Sequence, residues 1–231
     1  MSKDTTILFD LDGTLIDSTE AILMSFEDSF NHFSIPSPPY ENIKALIGHP
    51  LDYMFSHLGI DKKRVWDFVK VYKRHYRKRS KAMTKFLPNA PEAIEEAASF
   101  ARLGVVTTKT GEYSRILLEH MGVMHHFEVL VGREHVTYPK PHPEPILKAL
   151  NQMQREADEN VWMVGDTCMD IISAKEAGIN AVGVLSGYGS EKDLQRCSNF
   201  LQNDALSAIK LINLLNKKLK LSDNNLKLCD K

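Results

Sequence analysis

The chain has 231 residues, 43% hydrophobic and 26% charged, with a formal net charge of −1. At about 150 residues per domain this allows one large domain or a core carrying an insertion, and the composition excludes disorder. The near-neutral charge excludes global steering toward nucleic acid or an anionic membrane. No uninterrupted apolar run approaches the roughly 20 residues that span a bilayer. Cys168, Cys197 and Cys229 are few, odd in number and widely spaced, which argues against a disulfide framework and for a reducing compartment. A cytoplasmic protein is expected.

In chain order, "TTILFD" (5–10) is a short β-branched apolar run ending on a polar residue and reads as a buried strand. From Asp17 to Lys85 the spacing is instead helical: "TEAILMSFEDSFNHF", the breaker "SIPSPP", "YENIKALIG", "PLDYMFSHLG" and "KKRVWDFVKVYKRHYRKR". Near residue 86 an alternation of strands and helices begins. The strands are "LGVVTT" (103–108), "FEVLVG" (127–132), "NVWMVGD" (160–166) and "NAVGV" (180–184); the helices are "PEAIEEAASF", "GEYSRILLEHMG", "PEPILKALNQM" and "DIISAKEAG". Such alternation indicates βαβ units and a parallel sheet covered on both faces. The expected architecture is an α/β, Rossmann-like core (1–16 and 86–231) interrupted by an all-helical insertion (17–85). Residues 205–221 have Leu and Ile at helical spacing and are expected to pack on the core, with the final "SDNNLKLCDK" frayed. A dimer seam is the alternative for that apolar stripe, so monomer and homodimer both stay open.

In open α/β sheets ligands bind at the strands' carboxyl ends. The polar residues that end these strands are Asp10 and Asp12, Thr107 and Thr108, and Asp166 with Asp170; Lys140 lies in the loop "YPKPHPEP". Carboxylates so close would raise one another's pKa unless a cation neutralised them. Hard oxygen ligands without His or Cys point to Mg²⁺, which binds carboxylates, water and substrate phosphate. With a metal present, Asp10 is a candidate nucleophile toward phosphorus and Asp12 a candidate general acid and base. Lys140 and Thr107 would stabilise the phosphoryl oxygens.

These residues resemble the haloacid dehalogenase superfamily of phosphohydrolases. Its four motifs stand here as "DLDGT", "VVTTK", "YPKPHPEP" and "VGDTCMD", in order and over essentially the whole chain. The resemblance implies Asp10 as nucleophile and Asp12 as acid and base. It implies Mg²⁺ held by the Asp10 carboxylate, the Asp12 carbonyl and Asp166, with Asp170 in support. Phosphate binding would fall to Thr107, Thr108, Gly13 and Lys140. The insertion resembles the family's helical cap, and "LIGHPLDYMF" resembles the cap loop of phosphoglycolate phosphatase-like members, which makes Gly48 and His49 candidate specificity residues. Those members usually carry Asn where this chain has Thr108.

The expected activity is therefore Mg²⁺-dependent hydrolysis of a small phosphorylated metabolite, with phosphoglycolate as first candidate. A phosphomutase or pyrophosphatase of the same superfamily is the alternative, and a non-catalytic phosphate-binding module a further one. The basic run "KKRVWDFVKVYKRHYRKRSKAMTK" reads as a solvated helix face rather than a nucleic-acid patch. Cys168, between two motif aspartates, reads as a partly buried, unreactive thiol.

Overall fold

The structure is a computed structural model that describes residues 3–229, with side chains described through residue 217. Six parallel strands form the central sheet. They are β1 (Thr5–Phe9), β4 (Ala101–Val106), β5 (Phe127–Val131), β6 (Val161–Gly165), β7 (Asn180–Val184) and β8 (Leu201–Gln202), in the spatial order β5-β4-β1-β6-β7-β8. The chain winds outward from β1 through β4 to β5, then crosses to β6 on the other side of β1. That reversal places the switch point beside the end of β1, where the strand order opens a crevice.

The pleat divides the apolar residues between two cores. Ile7 and Phe9 of β1 join Leu103 and Val105 of β4 against α5 (Ala90–Phe100), α6 (Gly111–His120) and α10 (Ala205–Cys229). Leu8, Val106 and Met163 face the opposite way, onto α7 (Glu144–Gln152) and α8 (Cys168–Glu176). Both faces are covered, which is why these strands read as continuous apolar runs. Helix α9 (Glu191–Cys197) and β8 complete the far edge. Neither was legible in the sequence, because both are short and lack apolar periodicity. Helix α10 runs to Cys229, so the backbone is helical where fraying was expected; residues 230–231 of that tail lie outside the described residues.

A second layer is built from α1 (Thr19–His32), α2 (Tyr40–Lys44), α3 (Leu51–His57) and α4 (Val65–Met83). The chain enters it through β2 (Ile16–Asp17) and leaves through β3 (Lys85–Phe86), which pair antiparallel as a two-stranded ribbon. Its core is aromatic: Phe26, Phe30, Phe55, Phe68, Tyr72 and Tyr76 interlock, with Tyr113 of α6 reaching in from the sheet layer. Phe26 and Phe55 rings lie 4.5 Å apart, and Phe30 meets Phe68 edge to face at 5.5 Å, geometries that add to area burial. No helix among the described residues is long and apolar enough to cross a membrane.

Candidate active site

Four chain segments converge at the carboxyl edge of β1, β4 and β6. Asp10 follows β1 directly, its N–H donating to Val164 O of β6 at 2.9 Å. The chain then turns tightly: Leu15 N donates to Leu11 O at 2.9 Å, and Gly13 adopts φ +85°, a conformation that favours glycine. Asp166 follows β6 and is fully buried, accepting hydrogen bonds from Thr14 Oγ1 at 3.0 Å and Tyr188 N at 2.8 Å. Asp170 sits in the first turn of α8, where its Oδ2 accepts from Thr167 N and Thr167 Oγ1 in a capping box. One carboxylate oxygen each of Asp10, Asp166 and Asp170 lies within 4.8 Å of the others.

Lys140 closes this group. Its ammonium donates to Val106 O at 2.9 Å and to Asp170 Oδ1, and lies 2.9 Å from Asp10 Oδ1. Two of its three N–H groups are thus directed at Val106 O and Asp170 Oδ1, while Asp10 is held by charge alone. Burial disfavours its charge, but Asp10 and Asp170 outweigh that and hold its pKa above the ordinary lysine value. Asp170 thus has a double part, capping α8 and anchoring Lys140.

Burial is the largest influence on Asp10 and pushes its carboxyl up to about 7; Lys140 opposes the rise and Asp170 adds to it. Asp166 is likewise raised, by burial first and then by Asp10 and Asp170. Three buried carboxylates with one ammonium form a centre short of positive charge. Several features suit it to a hard divalent cation. The donors are oxygens alone, Asp10 Oδ1 is paired by charge with Lys140 without a directed hydrogen bond, and glycines keep the space open. A Cβ on Gly187 would stand 2.0 Å from Asp166 Oδ2, and one on Gly13 2.3 Å from the same atom.

Asp12 points to the other side of the turn. Ser18 Oγ donates to its Oδ1 and Lys109 Nζ to its Oδ2, the latter at 2.8 Å. Most of the Lys109 side chain is covered, with its ammonium 4.5 Å from the centre of the Tyr76 ring. Burial lowers its pKa, but Asp12 and the tyrosines Tyr76 and Tyr72 reverse the sign and raise it well above the ordinary value. Thr107 directly follows β4, its N–H donating to Val131 O, and its hydroxyl accepts from Lys109 N at 3.2 Å.

Between the two layers lies a cavity of about 220 Å³. Asp10, Asp12, Thr107 and Lys109 form its floor; Ile22, Met54, Val69, Tyr72 and Tyr76 of the helical layer form much of its roof. Gly48 and His49 line it too, His49 stacking on Tyr53 at 4.2 Å with its pKa lowered by burial and by His57. Thr108 Oγ1 donates to Gly48 O at 2.7 Å. The residue that departs from the usual Asn therefore ties the sheet layer to the loop of the helical layer.

Asp10, Asp12, Gly13, Thr107, Thr108, Lys140, Asp166 and Asp170 are all brought to one edge, with Gly48 and His49 across the cavity. Sequence reasoning missed Lys109, Ser18, Tyr188 and Gly187. Lys109 directly follows the second threonine of "VVTTK", and the Gly-rich "SGYG" after β7 was the available signal for the other wall. The cysteines require a correction: Cys168 and Cys197 form a disulfide, Cα–Cα 5.8 Å. Cys168 opens α8 and Cys197 closes α9. With α9 unrecognised, spacing in the chain concealed that the two helix ends meet. Cys168 is therefore not a free thiol, and the cysteines lend no support to a reducing compartment.

A doubly wound sheet with carboxylates and one ammonium gathered at its switch point defines an α/β enzyme with an acidic, cation-seeking centre. The chain belongs to the haloacid dehalogenase-like hydrolase family, which residues 7–184 match. It is 31% identical to the probable phosphatase IndB of Dickeya dadantii, across 96% of this chain and 98% of that one. It is 33% identical to the phosphoglycolate phosphatase of Aquifex aeolicus, across 79% and 85%. Relatives of comparable identity are a 5'-nucleotidase and a pyrophosphatase. A haloacid dehalogenase-like hydrolase of Streptococcus pneumoniae superposes with a TM-score of 0.81 at 27% identity, covering 91% of this chain and 99% of its own.

Proposed function

We propose that this hydrolase is a Mg²⁺-dependent phosphatase acting on a small phosphorylated metabolite through an aspartyl phosphate on Asp10. The observation that carries the reading is the buried group of Asp10, Asp166 and Asp170, with Lys140 against Asp10 and Asp170, reached from the cavity through Asp10, which lines it together with Asp12. A carboxylate oxygen of Asp10 attacks phosphorus, and the bond to the leaving oxygen breaks as Asp12, which enters this step as the carboxylic acid, gives that oxygen its proton. Asp12, now a carboxylate, takes a proton from water, which attacks the aspartyl phosphate and releases phosphate and Asp10. Thr107 and Lys140 hold the phosphoryl oxygens, with the Thr108 and Gly13 backbones beside them. The Asp10 carboxylate, the Asp12 carbonyl and Asp166 would hold the metal, which when bound neutralises charge shared by carboxylates and phosphoryl oxygens. Residues 17–85 act as a cap that encloses the leaving group, with Gly48 and His49 at its loop.

Phosphoglycolate is the first substrate to test, on the strength of the cap loop and of a relative that bears that name. A second reading, a nucleoside monophosphate, is favoured by the aromatic side chains Tyr72, Tyr76, Tyr113 and Trp66 that line the cavity, since a nucleobase offers a face to stack on.

The test is phosphate release from a panel of phosphoglycolate, sugar phosphates, nucleoside monophosphates and pyrophosphate, in Mg²⁺ and in EDTA. Turnover that needs Mg²⁺ and disappears in Asp10→Asn is the expected result. Isomerised product without free phosphate would instead identify a mutase, and no reaction on any compound would leave a binding module.

A further inference from the structure

Asp12 is held from two sides. Ser18, two residues beyond the turn of "DLDGTLIDS", engages Oδ1, while Oδ2 is held by Lys109. Lys109 belongs to neither the metal group nor the phosphate group described above. Its ammonium is 3.5 Å from Ser18 Oγ as well, so the two groups that hold the carboxylate also meet each other. The side chain is 10% exposed, and part of its cover comes from Tyr76, a residue of α4 in the helical layer. Tyr76 is fully buried, and its hydroxyl has no hydrogen-bond partner among the described residues; its ring stacks on Tyr72 at 5.6 Å. What Tyr76 contributes at this place is therefore its face, toward a cation.

An ammonium removed from water interacts more strongly with its carboxylate than an exposed one, and an aromatic face replaces part of the lost hydration. Stripping Tyr76 from above Lys109 would return the ammonium to solvent and loosen its grip on Asp12. A general acid must stand within hydrogen-bond reach of the leaving oxygen, and its contribution falls steeply when its orientation is lost.

We propose that Lys109 is the positioning residue for Asp12, and that Tyr76 makes this positioning depend on the helical layer lying over the site. The inference rests on the phosphatase reading, in which Asp12 protonates the leaving group. Lys109 is bonded to the side chain of Asp12 and, among the described residues, to none of the carboxylates of Asp10, Asp166 and Asp170; it fixes where the carboxyl of Asp12 stands, and α4 decides how firmly.

The experiment compares kcat/KM, which covers the steps up to departure of the leaving group, for two substrates. One is the best alkyl phosphate of the panel; the other is p-nitrophenyl phosphate, whose nitrophenolate leaves without a proton. Lys109→Met is expected to lose about tenfold or more on the alkyl ester and little on the nitrophenyl ester, in the direction of Asp12→Asn. Lys109→Arg should restore most of the loss. Tyr76→Leu, acting from the helical layer, should give the same contrast in weaker form, and thermal melting verifies that each variant is folded. Equal losses on both substrates, or a loss that Arg does not repair, would overturn the assignment. If the wild type releases phosphate from neither ester, the phosphatase reading fails. If it hydrolyses both and Asp12→Asn shows no contrast, the acid role of Asp12 fails before that of Lys109 is reached.

Discussion

Asp166 sits against glycine backbone on two sides, and its carboxylate occupies space that any Cβ at Gly187 would take, 2.0 Å from Oδ2. Gly187 has no positive φ to explain it; close approach alone requires the missing side chain. Gly187→Ala is therefore expected to displace the carboxylate while leaving the sheet intact. An Mg²⁺ titration of turnover should show a half-saturating concentration raised by about tenfold or more, as for loss of a supporting contact around a metal ligand. An unchanged titration would show that the cradle is not needed. The acidic residues and Lys140 were legible because each ends a strand or follows one. Gly187 and Tyr188 were not, because their loop carries no charge and owes its place to the β6–β7 pairing.

At the scale of elements, α8 and α9 are joined covalently at the edge of the site. The Cys168–Cys197 bridge closes a loop of 29 residues, and in the chain-entropy account such a bridge stabilises by about 3.5 kcal/mol. Thiol titration of the unfolded, unreduced chain is expected to find a single free cysteine of the three. Reduction, or Cys197→Ser, should lower stability by about that amount. Three free thiols with no change in melting would contradict the pairing. The capping box of Thr167 and Asp170 holds the same helix end from the other side, so α8 presents Asp170 from a doubly fixed start.

For the whole molecule, the acidic centre is a load that the fold carries in the absence of a cation. Asp10 keeps its proton in the folded chain up to about pH 7, whereas unfolded it loses it near 3.8. Between those values the folded state binds more protons, so stability falls as pH rises through the window. Asp166 acts in the same direction. The carboxylates with lowered values, such as Asp17, Asp204 and Glu144, have the opposite sign: their stabilisation is present above the ordinary carboxylate range and is lost as pH falls below it. In EDTA, raising the pH from about 5 to about 8 is thus expected to lower the melting temperature by roughly 5 °C or more. Mg²⁺ should restore it at the upper pH, and Asp10→Asn should flatten the dependence. A metal-free protein equally stable at both ends would mean that the centre is not short of positive charge.

The sequence by itself determined the parallel α/β core, the helical stretch between residues 17 and 85, and the carboxylates and lysine of the site. Apolar period and strand-end polarity are local properties, and each motif residue lies next to the element that places it. Only the tertiary structure decided that Lys109 holds Asp12, that Thr108 bonds to Gly48 across the cavity, and that Cys168 meets Cys197. Each of these joins segments distant in the chain, the first and third within the sheet layer and the second between the two layers, and such pairings follow from packing of whole elements rather than from the spacing of residues along any one of them.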